Sequence, residues 1–355
     1  MKKLMFGLLS LLSLLLLFGG CEHRELVEPS EKHYVRVYLD EHIRNVHYGF
    51  YDETKKKPEY KAPTMMRVTL NDLQSGKMRA ETYLRNTGTD ERGNYVDGYI
   101  AAAPGTYNLM AYSFDTQSTH VGNLDDFYQM EVYTNPISEQ LFEKLVSVRS
   151  ENGEAGKSYL DEGSIRYEPD HFFVAACEGI QVADRLYADT LHSNHGKYFI
   201  AQTAVETYYI QVNIKGIEHV KSASSLITGM ARATRMSDFT LLSNPPACVY
   251  FNLQAGMNEA RKDENIAVAY ASFNTFGKLK EEEGFIEVTF EFNTKYETTQ
   301  VETIRVTDMF ETEQVKNNRW IIIDKVIEII PPDGVSEGMS PGVNNWENIE
   351  GNLTI

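Results

Sequence analysis

Two histidines three residues apart, His192 and His195 in the stretch His-Ser-Asn-His, have the spacing that aims both imidazoles the same way on a helix. Imidazole nitrogens ligate metals, but a zinc site draws on three or four convergent groups. The neighbouring residues are polar and Gly196 follows, so a loop is expected and no metal site is assigned. Asp90 to Gly98 (Asp-Glu-Arg-Gly-Asn-Tyr-Val-Asp-Gly) and Asp125-Asp126 are acidic and loop-like. Neither has the alternating acidic spacing of a calcium loop, and both read as solvated hairpin tips. Cys177 and Cys248 could close a disulfide in an oxidising compartment. Each could instead pack as a small buried thiol, and the sequence leaves both readings open. With 51 Asp and Glu residues, accidental carboxylate pairs are expected anywhere, so acid–base glycoside hydrolysis gains no specific support. There is no phosphate-cradling glycine loop, no Gly-x-Gly-x-x-Gly and no His-Glu-x-x-His. No cofactor and no catalysis are expected.

The third cysteine stands in a different setting. Lys2 and Lys3 precede an apolar run, Met5 to Phe18, broken only by Gly7, Ser10 and Ser13. Gly19-Gly20 and Cys21 follow, which is the pattern of an export signal. The run is shorter than the roughly 20 residues of a membrane-spanning helix. The junction resembles a bacterial lipobox, with Phe18 where such boxes usually carry Leu. That resemblance implies a signal peptide over residues 1–20, cleavage before Cys21, and lipidation (palmitate) at Cys21. A polar tether is expected over 21–32. Loss of Lys2 and Lys3 takes the net charge from -17 to -19. Such a body is repelled by anionic surfaces and by phosphate backbones, so nucleic acid is excluded as a partner. The expected location is the outer membrane, lipid-anchored through Cys21 and facing the cell surface.

The elements that would carry any site are strands. Period-two alternation marks Tyr34 to Leu39, Met66 to Leu70, Tyr107 to Phe114, Tyr208 to Ile214, Phe285 to Phe292, Trp320 to Ile323 and Val326 to Ile329. Tyr and Phe, 21 and 17 in number, fall mostly inside these runs, where cross-strand packing is their usual role. Pro104-Gly105, Asn152-Gly153 and Asp333-Gly334 punctuate them as turns. Many short strands with turn signals predict a mainly β protein. Ser138 to Val148 is expected as a helix capped by Ser138, and Ser222 to Arg232 as a second short helix or an irregular crossover.

The length of 355 residues suits two domains. Ser113-Phe114-Asp115-Thr116 is echoed by Ser272-Phe273-Asn274-Thr275, each after an apolar run. Domains are expected over 33–172 and 173–355, divided where a polar stretch gives way to Phe172-Phe173-Val174.

Three windows carry a family resemblance. They are His33-Tyr34-Val35-Arg36-Val37 soon after Cys21, Pro104-Gly105-Thr106-Tyr107-Asn108-Leu109-Met110-Ala111-Tyr112, and Val343-Asn344-Asn345-Trp346-Glu347 before a final apolar strand. The chain resembles the fimbrillin-like lipoproteins of Bacteroides-type bacteria, above all their fimbrial anchor and accessory subunits. The resemblance implies two transthyretin-like antiparallel β-sandwich domains and other fimbrial subunits as partners, joined by β-strand addition. The terminal run alternates Ile349, Gly351, Leu353 and Ile355 against polar neighbours, so one face could fill a partner's groove or complete its own domain. A glycan-binding outer-membrane lipoprotein is the alternative, and it requires an open aromatic platform.

Overall fold

The computed structural model describes residues 32–40, 62–151, 163–183, 190–280 and 285–331. The first stretch of chain forms β1 (Lys32–Asp40), β2 (Met66–Asp72), β3 (Met78–Leu84), β4 (Asn86–Asp90), β5 (Gly93–Ala101), β6 (Gly105–Ser113), β7 (Thr119–Gly122) and β8 (Glu131–Thr134). After it come α1 (Glu139–Glu151), β9 (Ile165–Tyr167), β10 (Phe173–Val182) and β11 (Phe199–Thr203). The remainder forms β12 (Glu206–Lys215), β13 (Val220–Met230), β14 (Ala233–Arg235), β15 (Leu241–Leu242), β16 (Ala247–Asn252), β17 (Gln254–Met257) and β18 (Ile266–Thr275). It ends with β19 (Glu287–Thr294), β20 (Thr299–Arg305), α2 (Glu313–Asn318) and β21 (Trp320–Glu328). The protein is mainly β, as the alternation predicts.

The first sheet runs β3-β2-β6-β10-β11-β1-β5-β4. Only Arg85 separates β3 from β4, so the chain steps from one edge of this sheet to the other in a single residue. The sheet therefore folds back on itself: the Thr82 hydroxyl donates to the Tyr99 carbonyl at 2.9 Å, and a Cβ on Gly98 would sit 3.1 Å from Leu84. Inside lie Val35, Val37, Leu70, Val96, Leu109 and Phe199, the inward set of alternating strands.

In the second half, β17-β18-β12-β21 packs against β20-β19-β13-β16-β9. Ile210, Val212, Phe251, Phe273, Phe290 and Ile321 fill the space between the two sheets. Phe251 and Phe273 stack with centroids 4.3 Å apart. A small sheet, β15-β14-β8-β7, takes strands from both halves and covers a junction core of Tyr112, Phe127, Phe172, Val174, Val205 and Phe276.

Ser138 caps α1 as expected, accepting from the Leu141 N–H at 3.3 Å. Leu141 and Leu145 pack it on Ile165, Leu226 and Tyr250. The expected helix or crossover at Ser222 to Arg232 is instead the strand β13, flanked on both sides by β16 and β19. Its residues are buried almost without break, so the period-two signal is absent from the sequence. The expected division at 172/173 falls between β9 and β10. By pairing, residues 173–203 stay with the first sheet, because β10 runs antiparallel to β6 and β11 parallel to β1, while β9 pairs across to β16.

The echo does not mark equivalent positions. Ser113 is buried and Phe114 is 42% exposed, whereas Ser272 is exposed and Phe273 is 1% exposed. β6 ends at Ser113, so Phe114 to Thr116 fall outside the strand, whereas Ser272 to Thr275 lie within β18 with the opposite inside-out phase.

Candidate functional site: the first strand and its polar face

The first described strand, β1, lies inside the first sheet and not on its rim. Lys32 to Tyr38 pair antiparallel with Tyr95 to Ala101 of β5, and Val37 to Asp40 pair parallel with Phe199 to Gln202 of β11. Farther back, the Leu191 N–H donates to the Tyr34 carbonyl at 2.9 Å. The inward residues Val35, Val37 and Leu39 anchor it in the core.

The outward residues build a polar lock. Arg36 reaches Asp97 at 3.1 Å and Asp90 at 3.4 Å, and its Nε donates to the Tyr34 hydroxyl at 3.0 Å. Its guanidinium lies 4.1 Å over the Tyr95 ring. Tyr38 donates to Asp90 at 2.7 Å, and Tyr34 donates to Asp97. Burial, followed by the Asp97 bond, pushes the Tyr34 hydroxyl up to about 12. Burial also raises Tyr38, and the Tyr38 hydroxyl holds the Asp90 carboxyl below its usual range. The hydrogen bond to Tyr38 raises the Arg36 pKa further. Asp90 ends β4 and Gly93 opens β5 at φ +117°, so the acidic stretch is the expected hairpin tip only from Asp90 to Gly93, while Asn94 to Gly98 run inside β5 with Asp97 buried. Two of its carboxylates are nevertheless committed to β1. They converge on a guanidinium, which makes them a clamp and not an acid–base pair.

The aromatic rings on this side are largely occupied. Arg92 covers Tyr198 at 4.4 Å, and Tyr38 packs edge-on against both Tyr95 and Tyr198. Tyr99, 55% exposed, meets Tyr34 at an interplanar angle of 65°. Tilted and capped rings do not make the flat row that a sugar-stacking platform needs.

Beside the lock, β10 and β11 diverge after pairing at Phe173–Thr203 and Val174–Gln202. The gap is a cleft of about 590 Å³ that brings together Cys177, His192 and His195. Burial pushes the Cys177 thiol up, which keeps it protonated and weak as a nucleophile. His195 stacks on Tyr198 at 6.4 Å. Among the described residues no group of three or more His, Cys, Asp and Glu side chains is arranged to hold a metal ion. Nor does a disulfide form among them: Cys177 and Cys248 stand as thiols on β10 and β16. They pack into different core clusters, one in the first sheet and one under α1, which rules out the bridge the sequence left open.

At the other end of the chain, β21 runs parallel to β12. Tyr209 to Lys215 pair with Trp320 to Glu328 across one bulge, which Asn213 fills by donating to the Asp324 carbonyl at 3.1 Å. Cys21, Ile349, Gly351, Leu353 and Ile355 lie outside the described residues. So does Gly338-Met339-Ser340-Pro341-Gly342, a Gly-x-Ser-x-Gly spelling that sequence reading missed. Pro341 lacks the backbone N–H that an oxyanion hole takes from the residue after the nucleophile, so this spelling does not support a hydrolase.

Sheets stacked face to face and a first strand locked between two neighbours define a mainly β protein of sandwich-like architecture. The chain belongs to the DUF5119 family, a domain of unknown function whose profile matches residues 20–252. It is 22% identical over 332 residues to a Bacteroides ovatus protein carrying the name fimbrium anchoring subunit Fim4B, covering 88% of this chain and 82% of that one. A crystallised adhesin candidate from Bacteroides ovatus aligns over 91% of this chain and 99% of its own at 19% identity, with a TM-score of 0.49. The fimbrial anchor protein Mfa2 from Porphyromonas gingivalis aligns over 83% and 90% at 12% identity, with a TM-score of 0.42.

Proposed function

We propose that this protein is a non-catalytic surface lipoprotein that anchors or caps a fimbria. A lipid on Cys21 holds it in the outer membrane, and it binds other fimbrial subunits by β-strand addition. Its two halves act as β-sandwich domains of transthyretin-like plan. The observation that carries this reading is the placement of β1. A polymerising subunit must vacate a groove for its neighbour's strand, whereas here the strand next to the tether is paired on both sides and locked by Arg36. The relative named for fimbrium anchoring supports the same role. The alternating run at Ile349, Gly351, Leu353 and Ile355 is the candidate donor strand.

The test is co-purification from membranes with and without residues 347–355. Loss of bound fimbrial subunits on truncation, with the circular dichroism spectrum retained, is the expected result; unchanged partners would remove strand addition as the mechanism. A Cys21→Ser variant is expected in the soluble fraction, and its retention in the envelope would remove the lipid tether.

A further inference from the structure

Both ends of the described chain finish in parallel strand pairs, and the two pairs are joined in series. The chain enters β1 at Lys32, and β1 lies parallel to β11. It leaves β11 at Thr203, crosses Ala204 and Val205, and enters β12 at Glu206. β12 lies parallel to β21, and the chain leaves β21 at Glu328. Ala204 and Val205 are 0% and 1% exposed, inside the junction core, so the link has no slack.

We propose that these two pairs are mechanical clamps, and that pulling between the membrane end and the C-terminal end loads both in shear. The proposal rests on the anchor reading above for the direction of the load. In each pair one strand is drawn by its N-terminal end and its parallel neighbour by its C-terminal end. The slanted, evenly spaced bonds of a parallel ladder then share the force and must fail together. An antiparallel hairpin pulled from its open end gives way one bond at a time. Each bond contributes only about 1 kcal/mol net to stability, so geometry and not bond strength decides the resistance.

Side chains add to both clamps. Arg36 binds Asp90 and Asp97 and so holds β1 to β4 and β5 on the side away from β11. Glu206 and Arg319, 3.3 Å apart, pin the starts of β12 and β21, and Lys215 and Glu328, 2.8 Å apart, pin their far ends. The first clamp has strands on both sides of β1, whereas β21 has one strand neighbour among the described residues. The second sandwich therefore yields first.

Single-molecule force spectroscopy on the full mature chain tests this, with handles attached to residues outside the core. One arm pulls between the N-terminus and the C-terminus. The other pulls between the N-terminus and Ala103, next to the Lys32–Ala101 end of the β1–β5 pair, which opens that pair as a zipper. The expected result is a rupture force several-fold higher in the first arm. Its first extension step should be about 400 Å, the length of residues 206–331 pulled straight less the span that half covers when folded. Equal forces in the two arms, or a first step that releases the N-terminal half, would overturn the clamps. The outcome separates from the anchor reading. A low end-to-end force with co-purification intact removes only the clamps, and high forces with co-purification lost keep the clamps and remove the anchor.

Discussion

The Glu206 carboxylate meets the Arg319 guanidinium at 3.3 Å where β12 and β21 begin side by side. Tyr208 donates to the other oxygen of Glu206 at 2.7 Å, and Arg319 lies 5.4 Å over the Tyr208 ring. Burial drives the Tyr208 hydroxyl far above its ordinary value, so it remains a donor at any physiological pH. Both members of the ion pair are about four-fifths buried. Glu206→Gln leaves a guanidinium short of its counter-charge, and a loss of about 1–3 kcal/mol is expected. Urea unfolding followed by tryptophan fluorescence measures it, and an unchanged midpoint would show that the pair is idle.

The two phenylalanines of the sequence echo should behave differently. Phe273 stacks on Phe251 in the core, and Phe273→Ala is expected to lose about 3–5 kcal/mol. Phe114 lies on the surface against Tyr83, and Phe114→Ala should lose less than about 1 kcal/mol. Matching losses at the two positions would restore the echo as a structural repeat.

Gly216 follows β12 at φ +83°, and a Cβ there would stand 2.7 Å from the Ile329 carbonyl oxygen. Gly216→Ala combines left-handed strain with a backbone clash, and a loss of about 1–3 kcal/mol is expected. The strain falls where the Ile329 N–H donates to Lys215, so amide exchange should quicken first at the end of β21. Uniform protection there would contradict the assignment.

Glu311 sits between Lys316 and Lys278, each 2.9 Å away, and these two ammonium groups hold its carboxyl at about 2, against an ordinary 4.5. A depressed folded-state pKa adds stability above 4.5 that disappears as pH falls through 2. NMR titration of Glu311 in a Lys278→Ala, Lys316→Ala chain should return its midpoint toward 4.5. The group is exposed, so added salt should shrink the difference.

How much of this was legible in the sequence depends on burial. A strand with one wetter face, such as Tyr34 to Leu39, announces itself by alternation. β13 does not, because both faces are covered. β4, Asn-Thr-Gly-Thr-Asp, has almost no apolar residues to alternate, and its pairing with β5 alone makes it a strand. The Arg36 lock was hidden for another reason. Asp90 and Asp97 look like any acidic turn until the register of β1 on β5 places Asp97 beside Arg36. Pairing partners distant in sequence decided that site, and likewise kept residues 173–203 with the first sheet.

The single-residue step at Arg85 has a consequence for assembly. By bringing β3 over β5, it curls the first sheet so that its two edge strands meet at one corner, where an added strand has little room.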